Sequence, residues 1–188
     1  TYDHVSVEID RGGAAAYITV HGPKVHGSDE ETPPNDPAAI QASGASFWPL
    51  ALARELDDVI LHLRLNEPDI GTWVFRTEGD NGLVEAADRT LLEHADHWLV
   101  REITLYLKRT LKRLDVSSRS LIALIEPGSC FTGTLLELAL ASDRTYMLDG
   151  AFEGSDLPPA AIRLTGMNFG PLTMVNGLSR LHRRSLSN

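Results

Sequence analysis

Two short apolar runs constrain this chain more than any other feature. Thr72-Trp73-Val74-Phe75 is bounded by Gly71 and Gly79, and Leu121-Ile122-Ala123-Leu124-Ile125 is closed by Pro127-Gly128. Runs of this length without polar alternation read as buried strands, the habit of parallel sheets. Parallel neighbours need a crossover, and the sequence between the runs supplies one. From Ala86 to Leu114, Leu91, Trp98, Leu99, Ile103, Tyr106 and Leu111 lie along what reads as one long helix. A second helix is read from Ser46 as N-cap, with Pro49 in its first turn and Leu52, Leu56, Val59, Ile60 and Leu63 at helical spacing. It ends near Asn66-Glu67-Pro68. A third runs through Leu135 to Ala141, followed by strands at Thr145-Tyr146-Met147 and near Ile162 to Leu164, and by a basic helix from about Pro171. At the start, Val5, Val7 and Ile9 alternate with polar residues, and Arg11-Gly12-Gly13 turns the chain into a second strand through Val20, a hairpin. Strands alternating with helices imply right-handed crossovers and an α/β fold.

The 188 residues carry 26 acidic and 17 basic side chains, a net charge of -9. That field repels a phosphate backbone, so nucleic acid is not expected as a partner. No apolar run has the length of a membrane span, and no membrane partner is expected. The single cysteine, Cys130, excludes an intrachain disulfide framework and fits a reducing, cytoplasmic setting. His94 and His97 are three apart on a helix, but no third ligand stands out and no metal is expected. Between Lys24 and Gly44 the composition changes: Ser28 to Pro37 holds three prolines and four acids, which reads as an exposed loop or a lid.

Chemistry is concentrated in the segment from Ile125 to Asp143. A buried strand enters a loop with two glycines, and a helix starts directly after it. Free backbone N–H groups and the positive end of the helix dipole then converge on one spot, suited to an oxyanion or phosphate. Glu137 lies about one turn into that helix among Leu135, Leu136, Leu138 and Leu140. On an apolar face its pKa is raised by desolvation, as suits a general acid or base. The plainer reading is a solvated carboxylate near the positive end of the helix. Cys130, in the same loop, is either an inert small hydrophobe or a substrate contact. Ser129 lacks the G-x-S-x-G context of a serine hydrolase. The clusters Lys108-Arg109, Lys112-Arg113 and Arg180, Arg183-Arg184 are surface charges, of which one or two would suit a phosphate.

These residues resemble the crotonase (enoyl-CoA hydratase/isomerase) superfamily, whose members show a glycine-rich loop, a Glu-Leu-Ala helix and an Asp at its end. Here the corresponding residues are Gly133-Thr134, Glu137-Leu138-Ala139 and Asp143. Three further stretches are similar to the divergent branch of benzoyl-CoA-dihydrodiol lyases (2,3-epoxybenzoyl-CoA dihydrolases): Asp115 to Ser120, the loop Glu126-Pro127-Gly128-Ser129-Cys130-Phe131-Thr132-Gly133, and Asn168-Phe169-Gly170 with Ser179-Arg180-Leu181. The resemblance implies a crotonase-like spiral of β-β-α units forming one domain over 1–188, the N-terminal catalytic part of a longer chain. It also implies an acyl-CoA substrate, with coenzyme A as part of that substrate and no separate cofactor, and a homo-oligomer in the full-length protein. The branch activity is ring cleavage of a dearomatised benzoyl-CoA to a semialdehyde-CoA with loss of formate; hydratase/isomerase chemistry and a non-catalytic scaffold are the alternatives. Carried over, the oxyanion donors are the amides of Gly133 or Thr134 and of Ala86, in a loop from Leu83 to Asp88. Glu137 takes the first acid/base position, with Cys130 beside it, and Glu85 and Ser129 contact substrate. The second family carboxylate falls on Gly166, a departure that leaves Asp156 or Glu153 as substitutes, an altered reaction or a crippled site.

Overall fold

The computed structural model describes residues 2–24, 33–150, 152–154 and 156–186. A five-stranded sheet has the order β1-β2-β3-β4-β6. β1 (Val5–Asp10) and β2 (Ala15–His21) form the antiparallel hairpin. β3 (Thr72–Glu78), β4 (Ser120–Ile125) and β6 (Arg144–Met147) then add in parallel. A second, two-stranded sheet pairs β5 (Phe131–Thr132) with β7 (Ile162–Arg163).

Register explains which side of the large sheet is core. Ala16 lies beside Trp73 and Trp73 beside Leu121; Ile18 lies beside Phe75 and Phe75 beside Ala123. All six are buried, in one core with the apolar sides of α2 (Trp48–Leu65), α4 (Trp98–Asp115) and α5 (Gly133–Ala141). The opposite face, with Tyr17, Arg76, Ile122 and Leu124, is only half-buried, so the second apolar run is not sealed on both sides.

The long helix expected from 86 to 114 is two helices, α3 (Asn81–Glu93) and α4, separated by His94-Ala95-Asp96-His97. The N-terminal part of the expected 83–88 loop is helical too. Asp80 caps α3 by accepting the Leu83 amide at 3.0 Å, so helix begins before Leu83 rather than at Ala86. The proline-acid segment contains a helix, α1 (Pro37–Ser43), capped by Asp36 and anchored by the buried Ile40; residues 25–32 of that segment lie outside the described residues. Ser46 ends a 3-10 turn, and Phe47 is the N-cap of α2. The last helix, α6 (Arg180–Ser185), starts well after Pro171.

Candidate active site

The helix whose head was expected to receive an oxyanion is present. Gly133-Thr134-Leu135-Leu136 opens α5 with no acidic residue in its first turn, and Thr132 precedes it in extended conformation. The anion at this helix start belongs to the protein itself. Asp88, fully buried on α3, accepts the Thr134 amide at 2.9 Å and the Thr134 hydroxyl at 2.5 Å. The Thr165 hydroxyl donates to the same carboxylate at 2.7 Å. Gly133 has φ +46°, and a Cβ there would lie 1.7 Å from Asp88 Oδ2, so only glycine lets the three segments meet. Burial pushes the Asp88 carboxyl up to about 6, against the pull of its threonine hydrogen bonds.

One turn along α5, Glu137 is also fully buried, which overturns the solvated reading. Its Oε1 accepts from Asn168 Nδ2 at 2.7 Å and its Oε2 from Arg180 Nη1 at 2.8 Å. Arg180 forks onto Asp115 at 2.9 and 2.8 Å and also donates to the Leu172 carbonyl. Burial raises the Glu137 pKa, while Asn168 and Arg180 oppose that shift. A 3-10 turn over Gly166–Phe169 joins the two carboxylates. Thr165 caps it and reaches Asp88, while Asn168 bonds Glu137, the Gly133 carbonyl and the Thr165 amide.

Several expected site residues are placed differently. The Ala86 amide lies inside α3, beyond the first-turn donors, and the Ala86 carbonyl accepts from Thr90; it is not a loop donor. The Thr134 amide is taken by Asp88. Glu85 pairs with Arg163 at 3.1 Å on the surface. The Ser129 hydroxyl accepts the Glu126 amide and closes its own loop. Cys130 is fully buried between Gly22 and Gly79, and burial pushes its thiol up to about 11, so it packs rather than attacks. Gly166 opens the 3-10 turn, and a Cβ there would lie 2.8 Å from Leu92 Cδ1, so a side chain at this position requires Leu92 to move. Asp156 and Glu153 are exposed. Of the residues that organise the site, Asp88, Asn168, Thr165 and Asp115 carried no site role from sequence, and Arg180, read there as a surface charge, is fully buried. For Asp88 a signal existed: it shares the buried side of α3 with Val84, Ala87 and Leu91.

Known structures share this arrangement of elements. Human mitochondrial delta3-delta2-enoyl-CoA isomerase superposes with a TM-score of 0.51 at 17% identity, covering 86% of this chain and 51% of that one. Pseudomonas aeruginosa DspI superposes with 0.51 at 20% identity, covering 85% and 58%. The chain has the crotonase fold. No protein-family model matches the sequence. A curated relative, benzoyl-CoA-dihydrodiol lyase of Aromatoleum evansii, is 50% identical over 183 residues, 97% of this chain. The chain spans 31% of that relative's length. Within this crotonase fold, both acids near the head of α5 already have protein partners.

Proposed function

We propose that this chain is the crotonase-fold part of an enzyme that hydrolytically opens the ring of a dearomatised benzoyl-CoA, an epoxide or dihydrodiol, to a semialdehyde-CoA and formate. The observation that carries this reading is the 50% identity across nearly the whole chain to a protein named benzoyl-CoA-dihydrodiol lyase. The head of α5 supports it chemically, since amides at a helix start stabilise negative charge on a thioester oxygen. Of the proposed donors at this helix head, Gly133 remains for that task, because the Thr134 amide is held by Asp88. Glu137 acts in this reading by fixing Asn168 and Arg180 rather than by carrying a proton.

A second reading, a crotonase-fold scaffold without chemistry of its own, is favoured by one observation: both buried carboxylates are satisfied internally. Turnover by the full-length protein separates the two. With 2,3-epoxybenzoyl-CoA, equal amounts of formate and semialdehyde-CoA are expected. Hydration of crotonyl-CoA without formate would reassign the protein as a hydratase. Retained binding of acyl-CoA with no turnover would leave the scaffold.

A further inference from the structure

At the end of the sheet opposite the head of α5, the ends of α4 and α5 and the start of β4 enclose, with α6, a hollow of about 570 Å³, the size of a small-molecule site. Four arginines line it, Arg119, Arg180, Arg183 and Arg184, against Asp115 and Asp143. Their commitments differ. Arg180 is held by Asp115 and Glu137. Arg184 caps the end of α5 through the Leu140 and Ser142 carbonyls. Asp143 Oδ2 accepts the Leu121 amide at 2.8 Å.

Arg119 and Arg183 have donors to spare. Among the described residues neither forms an ion pair. Arg119 makes only long contacts, 3.4 Å to the Ser118 carbonyl and 3.5 Å to that of Pro68. Its Nε is shut off from solvent with no acceptor among the described residues. Ser118, just before it, is held at φ +55°, a conformation that serine keeps only where its surroundings impose it. In a chain of net charge -9, this local surplus of guanidinium groups stands out and draws anions.

We infer that this hollow binds a small anion with two or more adjacent charged groups, of diphosphate or dicarboxylate type, gripped by Arg119 and Arg183. Guanidinium forks match the paired oxygens of both groups. The hollow shares Arg180 and Asp115 with the ionic joint at Glu137, but the grip falls to Arg119 and Arg183, and the inference does not depend on the function proposed above.

Calorimetric titration of the full-length protein with inorganic pyrophosphate and, separately, with succinate tests it. One site per chain is expected for at least one probe, weakened at least tenfold by Arg183→Glu and by Arg119→Gln. The tighter probe assigns the phosphate or the carboxylate source. No binding of either probe overturns the proposal, and so does binding that both variants leave unchanged. Arg183 is exposed, so its variant keeps the test valid if Arg119→Gln fails to fold.

Discussion

Asp88 and Glu137 are both fully buried, both meet α5 near its head, and both are tied to the same 3-10 turn, yet they are neutralised in different ways. Glu137 meets a guanidinium that also grips Asp115, so two acids share one cation. Asp88 touches hydroxyls and an amide only, at the positive end of a helix. Although burial still raises the Glu137 pKa, a cation favours the ionised form of a buried acid. Hydroxyls and a helix dipole do so less completely, and the Asp88 carboxyl is left at about 6. One region is therefore an ionic joint built on a guanidinium, while the other holds its acid with hydroxyls and an amide alone.

The sharpest way to break the contrast is Arg180→Met. It strands Asp115 and Glu137 in the interior, and a loss of about 3 to 5 kcal/mol is expected in denaturant unfolding. A loss below about 1 kcal/mol would mean that the joint is dispensable. Gly133→Ala attacks the other region, because its Cβ would overlap Asp88 Oδ2 and the backbone there is left-handed. A cost of about 3 kcal/mol is expected, with Asp88 displaced. The smallest effect belongs to Asp88→Asn and appears as a change in pH dependence. The folded-state pKa of Asp88 lies above its ordinary value of 3.8, so the folded state holds the proton more tightly. Its contribution is fully present below about pH 4 and is lost as pH rises through about 6. Relative to the Asn variant, the natural protein should lose on the order of 2 kcal/mol across that window. Parallel stability curves from pH 4 to 7 would refute the upward pKa shift of Asp88.

Much of the fold was legible because register and periodicity are local signals. The hairpin, the runs of β3 and β4 and the helix through Leu135 to Ala141 all follow from them. The break between α3 and α4 left no mark, since 94–97 holds neither proline nor glycine and apolar residues continue on either side. The site was legible as a place but not as a set of partners. Glu137 on an apolar face could be read as desolvated, and it is. That its oxygens go to Asn168 and Arg180, 31 and 43 residues away, is a tertiary fact that no spacing encodes. Asp88 failed for the opposite reason: reading 83–88 as a loop hid the helical phase that turns this carboxylate inward.

The joint around Arg180 also bears on the order in which the molecule can be completed. Its guanidinium reaches back 65 residues to Asp115 and 43 to Glu137. During synthesis, both acids leave the ribosome well before the cation that neutralises them. A nascent chain halted short of position 180 lacks the cation that neutralises these two acids, so closure of this interior waits until Arg180 has been made.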